Sequence, residues 1–81
     1  MAQYSEEQVN AVVGTLWIFK SDEFAEHYIV YDYSLERSSR YIFKLRTFDM
    51  KKTYSAMDIA LIPQIAGGKR RDLKEGWNYM G

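Results

Sequence analysis

The sequence predicts a small α+β domain, an antiparallel β-meander of three to four strands with a short N-terminal helix. Three observations lead to this prediction. A capped, amphipathic run lies near the start of the chain, β-rich runs separated by turn signals follow, and aromatic residues make up 16% of an 81-residue chain that contains no cysteine. A chain of this size is near the lower limit for folding without disulfides or metals, so its core must use most of the aromatic rings.

The segment SEEQVNAVVG, residues 5–14, predicts the helix. Ser5 is a good N-cap, and Gln8 three residues later completes a capping box. The valines of the segment share one face, and Gly14 is a typical helix end. At about two turns this helix is too short to be stable alone, so we expect it to pack against the sheet.

Residues 15–20, TLWIFK, predict the first strand, and the stretch YIVYDYSLERSSRYIFKL predicts a β-hairpin turning at LERSS. Pairing Ser34 with Arg40 gives a register in which one face of the hairpin is wholly apolar or aromatic. The side chains expected to point into the core are Ile29, Tyr31, Tyr33, Tyr41, Phe43 and Leu45. The side chains expected to point outward are Tyr28, Val30, Asp32, Ile42, Lys44 and Arg46.

The hairpin is followed by a turn at Phe48–Lys51 and a strand near Lys52–Ser55. The next segment, SAMDIALIPQI, fits two structures. One is a helical turn in which Ser55 and Asp58 form a capped start and Pro63 ends the turn, and the other is an extended edge segment through IALI.

We expect one compact domain over residues 1–66, followed by a basic and aromatic C-terminal tail over residues 67–81. The tail is ordered only if Leu73, Trp77 or Tyr79 finds a pocket. In the order of its β-rich runs the chain resembles small SH3-like barrels, which implies a strongly bent sheet.

Composition argues against several classes of protein. Eleven basic and eleven acidic side chains cancel, with a balance of −4 over residues 1–26 and +4 over residues 27–81. No apolar run approaches the ~20 residues of a membrane span, and the N-terminus lacks the basic flank of a secretory signal. Because the chain has no cysteine, we expect a cytoplasmic protein.

No catalytic or metal-binding motif stands out. His27 is the only histidine, and no nucleophile motif accompanies it, so we expect no enzymatic activity. One histidine without cysteines provides no ligand spacing for a metal, and the glycines before Lys69 do not have the spacing of a phosphate-binding loop. We therefore expect no cofactor.

The outward face of the predicted hairpin is the best candidate contact surface. It combines cations with rings and aliphatic side chains, as protein interfaces do, and the basic tail adds further cations beside two aromatic residues. The residues predicted to bind a partner are Tyr28, Arg40, Ile42, Lys44, Arg46, Phe48, Lys69, Arg70, Arg71, Trp77 and Tyr79.

Two functions fit this surface. The first is a non-enzymatic regulator, adaptor or inhibitor that docks on a protein partner, with a homodimer as one way to cover the apolar area. The alternative is a small nucleic-acid-binding β-domain, in which rings stack on bases while Arg40, Lys44, Arg46 and the tail meet phosphates. In its size and its tyrosine-rich, cysteine-free composition, the chain resembles accessory proteins that bacteriophages encode against host machinery. That resemblance implies the first function.

Overall fold

The computed structural model describes residues 4–37, 39–67 and 72–81. Within these residues, two helices and five strands follow one another in the order α1 (Glu6–Asn10), β1 (Leu16–Lys20), β2 (Ala25–Leu35), β3 (Tyr41–Arg46), β4 (Thr53–Met57), α2 (Asp58–Ala66) and β5 (Gly76–Tyr79). All strands pair antiparallel, in the spatial order β4-β3-β2-β1-β5. The predicted α+β class and meander are confirmed, but the sheet has five strands instead of three to four.

Helix α1 starts as the sequence predicts. The Ser5 hydroxyl accepts the backbone N–H of Gln8, and the Gln8 side chain accepts the backbone N–H of Ser5, which completes the capping box. The helix is a single turn and a half, and its stability comes from tertiary contacts, because Val9 and Val12 are fully buried in the core. The helix ends at Asn10, before the predicted end at Gly14, and Val13 of the predicted apolar face is exposed. Gly14 ends the turn that follows the helix, with a positive φ of 90° that suits glycine.

The sheet curls around its inner face. The two edge strands come close enough for the rings of Tyr54 in β4 and Trp77 in β5 to lie 6.4 Å apart. Helix α2 packs against β3, β4 and β5, and α1 packs against α2, so the two helices cover the core on the inner side of the sheet. The SH3-like prediction was right about the bend, but it omitted the fifth strand and α2, so the prediction of an SH3-like sheet was inexact.

The predicted hairpin register is wrong in two respects, the position of the turn and a β-bulge in β2. The observed pairs near the turn are shifted by two residues, so that Tyr33 lies opposite Phe43, and a further irregularity falls between Val30 and Asp32. Tyr31 is the extra residue there. A bulge adds one residue to one strand, so it reverses the alternation of side chains beyond it.

The bulge decides which hairpin side chains are core. Tyr33, Tyr41, Phe43 and Leu45 lie on the inner face as predicted. Before the bulge the faces are exchanged, and four predicted positions are wrong: Tyr28 and Val30 are buried, Tyr31 is 44% exposed, and Ile29 shares the outer face with Arg46. The sequence places apolar residues at both even and odd positions of this strand, and the bulge brings both sets to one face.

Helix α2 resolves the ambiguous segment in favour of a helix that begins at Asp58 and runs past Pro63 to Ala66. Pro63 lacks an N–H and normally interrupts a helix. Here tertiary packing outweighs that effect, since Leu61, Ile62 and Gln64 are all buried. Neither of the two helices in the described part of the chain has the length and apolar character to cross a membrane.

The end of the predicted tail is a strand. β5 pairs with β1, and Trp77 and Tyr79 pack against the core. Gln64 in α2 ties the free edge of β5 to the helix, because its side-chain amide donates to the carbonyl of Trp77 at 2.9 Å and accepts the N–H of Tyr79 at 3.0 Å. Asn78 hydrogen-bonds to the backbone of Leu73 and Gly76, which holds the approach to the strand.

Candidate functional site

An aromatic cluster occupies the inner face of the sheet where β1, β2, β4 and β5 come together. Its members are Phe19 in β1, Phe24 in the β1–β2 turn, Tyr28 in β2, Tyr54 in β4 and Trp77 in β5. Ring centroids of neighbouring members lie 4.9–6.4 Å apart. We call this end of the sheet the aromatic end.

The strand registers explain why these rings meet. Phe19 is the cross-strand neighbour of Trp77, and Trp17, two residues earlier on the same face, is the neighbour of Tyr28. Tyr54 comes from the far edge and reaches the others only because the sheet curls. Its ring lies 5.3 Å from Tyr28, edge to face, and 6.1 Å from Phe19, nearly parallel. Such arrangements are favourable for aromatic pairs and keep the rings in fixed orientations.

The cluster has a buried floor and an exposed rim. Tyr28 is only 1% exposed, whereas Phe24 is 50% and Tyr54 is 45% exposed. Burial raises the pKa of Tyr28 to about 12, and the neighbouring Tyr54 and Glu26 contribute to the rise. Tyr28 therefore stays neutral over the whole physiological range and serves as a rigid support for the exposed rings.

A cleft of about 270 Å³ adjoins the cluster between the start of β2 and the β3–β4 turn. It is lined by Glu26, His27, Thr47, Phe48 and Asp49. We call it the acidic cleft. Glu26 belongs to both features, since it is the cross-strand neighbour of Phe19 and also lines the cleft.

The β3–β4 turn fixes the far wall of the acidic cleft. The buried Thr47 hydroxyl donates to Oδ1 of Asp49 at 2.5 Å, and the Lys51 N–H donates to the same oxygen at 3.0 Å. These two hydrogen bonds, the first above all, lower the pKa of Asp49 and keep it anionic. Both end on Oδ1, which leaves Oδ2 as an acceptor.

The cleft does not have the arrangement of a nucleophilic catalytic site. The Thr47 hydroxyl already donates to Asp49 and accepts the N–H of Lys52, so it builds the turn. No hydrogen bond joins His27 to Thr47 or Asp49 among the residues that the structure describes. Within the same residues, no group of three or more acidic or histidine side chains is placed to hold a metal ion.

Two of the residues predicted to bind a partner contribute to the folded structure instead. Tyr28 lies in the core and not on the outer face. Arg40 lies beside Asp58 of α2, with 3.6 Å between Nη1 and Oδ1, and the same carboxylate accepts the backbone N–H of Tyr41 through Oδ2. Asp58 is 1% exposed, so Arg40 compensates a buried charge.

The remaining predicted residues are spread over three places. Ile42, Lys44 and Arg46 point outward from β3, and Lys44 lies opposite Asp32. Trp77 and Tyr79 are on the inner face. Phe48 is exposed and lines the acidic cleft. Lys69, Arg70 and Arg71 lie outside the described residues. The prediction placed rings and cations on one surface, whereas the structure has most of these rings on the inner face of the sheet and Lys44 and Arg46 on its outer face.

Sequence reasoning missed Phe19, Phe24, Tyr54 and Glu26 as site residues. The alternation of TLWIFK and of TYSAM in β4 puts Phe19 and Tyr54 on the inner faces of their strands, and this much is readable from the sequence. The meeting of those strands across the sheet follows from its curl, which no local pattern records.

Comparison of the chain with protein-family models, with curated proteins and with solved structures finds no match in any of the three.

Proposed function

We propose that this chain is a non-enzymatic binding protein that docks on a larger protein partner through its aromatic end. The observation that carries the proposal is the half-exposed pair of rings, Phe24 and Tyr54, supported on a buried aromatic floor. In a folded monomer most large rings are used for the core, and exposed rings beside a preformed cleft are typical of a contact surface.

The cluster has the physical properties of an interface hot spot. Aromatic side chains provide a large contact area for little loss of rotamer freedom, and they dominate the energy of many interfaces. Here Tyr54 is already held by three neighbouring rings, so binding costs it little further entropy. Phe48 and Met50 in the β3–β4 turn, both more than 60% exposed, extend the apolar area at the same end.

The nucleic-acid alternative has less support from this arrangement. Base stacking requires rings and phosphate-binding cations on one surface. The exposed rings lie beside Glu26 and Asp49, whose charges repel phosphates, while Lys44 and Arg46 point out from the other side of the sheet. We keep nucleic acid as an outcome of the test below.

A role as regulator, adaptor or inhibitor in the cytoplasm, of the kind that bacteriophage accessory proteins have, remains part of the proposal. It requires only a surface that occupies a site on a partner. The uncovered outer face, where Ile42 lies opposite Met57 and Leu16 opposite Ile29, is available for a second contact, including one with another copy of the chain.

Site-specific photo-crosslinking tests the proposal. Phe24→p-benzoylphenylalanine places the crosslinker at the aromatic end, and Leu35→p-benzoylphenylalanine places it at the distal turn of the β2–β3 hairpin, where Leu35 is 57% exposed. In a lysate of the source organism, we expect a discrete protein adduct from the first variant and none from the second. Adducts from both positions, from neither, or adducts that nuclease removes would contradict docking of a protein at the aromatic end.

A further inference from the structure

We propose that the aromatic end receives an arginine-bearing segment of the protein partner, with one guanidinium entering the acidic cleft and the neighbouring part of the segment lying over Phe24 and Tyr54. This inference rests on the proposed function and adds the chemistry of the partner. It follows from the charges around the exposed rings, the size of the cleft and the geometry of its walls.

Acidic side chains predominate around the exposed rings. The carboxylates of the β1–β2 turn and of the acidic cleft are Asp22, Glu23, Glu26 and Asp49. The cations in the adjacent β3–β4 turn are Lys51 and Lys52, and the charge of Lys52 helps to lower the pKa of Asp49. Lys20 at the end of β1 is paired with Asp72. A surface with an excess of carboxylates attracts a cationic segment and repels an anionic one.

The cleft is the right size for a side chain. Its volume of about 270 Å³ is just below the roughly 300–1,000 Å³ of pockets that enclose whole small molecules. It combines carboxylates from two elements, Glu26 from β2 and Asp49 from the turn. The turn hydrogen bonds hold Asp49 in place, so that its free oxygen is preorganised as an acceptor.

The cleft favours arginine over lysine. A guanidinium is planar and donates several hydrogen bonds in a fixed fork, so it can bind a carboxylate while stacking on an aromatic ring. The cleft offers that combination, because Phe48, 61% exposed, lines it together with Glu26 and Asp49. An ammonium group would use the carboxylates but gain less from the ring.

The rings themselves do not form a cage for a methylated ammonium group. Such a cage needs rings that surround an open space. Phe19 and Tyr54 are nearly parallel at 6.1 Å, and Phe19 and Trp77 are in contact at 4.9 Å, so the cluster is packed and offers an outer surface only. The cation must therefore enter at the cleft.

Titration of the ¹⁵N-labelled full chain with short blocked peptides tests the inference. One peptide alternates arginine with glycine, a second has lysine in place of arginine, and a third has citrulline, which keeps the shape of arginine without its charge. We expect the arginine peptide to shift the amide signals of Phe24, Glu26, Phe48 and Asp49. We expect at least about threefold weaker binding of the lysine peptide and no saturable binding of the citrulline peptide.

Two pairs of variants locate the contact. Glu26→Gln should weaken the arginine peptide about tenfold, since it removes one charge-assisted hydrogen bond. Glu7→Gln removes the same charge from the exposed side of α1, which does not line the acidic cleft, and should change binding less than twofold. Phe24→Ser should also weaken binding, whereas Leu35→Ser, at a residue of similar exposure, should not.

If Glu26→Gln and Glu7→Gln weakened binding of the arginine peptide equally, the peptide would be attracted only by the net charge of the protein, and the inference would be overturned. Signal shifts confined to the outer face, or equal binding of the lysine and arginine peptides, would overturn it as well. If the crosslinker at Phe24 captures a protein but the arginine peptide does not bind, the partner chemistry is wrong and the proposed function stands. If the crosslinker captures none, the proposed function fails first.

Discussion

Gln64 is the residue whose replacement tests most directly how β5 is held in the sheet. Gln64→Met keeps the length and volume of a side chain that is 94% buried but removes both ends of the amide. The carbonyl of Trp77 and the N–H of Tyr79 face away from β1, and the Gln64 amide is their partner. The variant therefore leaves two backbone groups of an edge strand without hydrogen bonds in a buried place.

The expected loss of unfolding free energy follows from those two bonds. A typical intramolecular hydrogen bond contributes about 0.5–1.5 kcal/mol, and leaving a buried group unpaired costs about 1–3 kcal/mol. We expect Gln64→Met to lower the free energy of unfolding by about 2–4 kcal/mol. For a domain of this size that corresponds to a decrease in Tm of roughly 10–30 °C.

Chemical and thermal unfolding measured by circular dichroism gives the free energy, and hydrogen exchange gives the location. In the variant the amide of Tyr79 should exchange much faster, because it has lost its acceptor. Gln8→Met is the matched control, since it also removes a glutamine hydrogen bond, but at the exposed start of α1, and should cost only about 0.5 kcal/mol. Equal destabilisation by both variants, or continued protection of the Tyr79 amide, would refute the reasoning.

Three further predictions concern the core. Arg40→Met should cost about 2–4 kcal/mol because it leaves the buried carboxylate of Asp58 without its cation, and adding Asp58→Asn should recover a large part of that loss in a double-mutant cycle. The pKa of Tyr28 is raised from 10.0 to about 12, so the folded state favours the neutral ring. The contribution of Tyr28 to the free energy of unfolding is complete below pH 10, and about 2–3 kcal/mol of it is lost as the pH rises toward 12. Urea unfolding between pH 8 and 12 should show this loss in the unsubstituted chain and not in Tyr28→Phe. Deleting Tyr31, the extra residue of the bulge, should cost less than about 2 kcal/mol, whereas deleting Lys44 from the regular strand β3 should prevent folding; the reverse order would contradict the register.

Local signals in the sequence predicted the local structure correctly. The capping box of α1 involves residues three positions apart, and the turn between β3 and β4 is closed by its own side chains, so both follow from a few neighbouring residues. The outward position of Ile42 and the burial of Phe43 were likewise predicted from simple alternation. These features depend on interactions within one element or between adjacent ones.

Features that depend on the whole sheet were not predictable in this way. The bulge at Tyr31 lets apolar residues of opposite parity share one face, and nothing in the strand sequence marks the extra residue in advance. From the sequence alone, β5 resembles a tail. Its four residues form a strand only through contacts with β1 and α2, and a local pattern does not reveal those contacts. The aromatic end needs the same long-range closure, so Tyr54 was not identified as a site residue before the edge strands were seen to approach each other.

The pairing of Trp17 with Tyr79 joins β1 and β5, which are far apart along the chain. A meander of hairpins can assemble progressively during synthesis, but this last strand has to return across α2 before the aromatic floor is complete. Until then the edge of β1 is open to any extended segment nearby, including one from a neighbouring nascent chain. The protein should therefore be most prone to aggregate early in refolding, and diluting the chain at that moment should raise the yield of monomer.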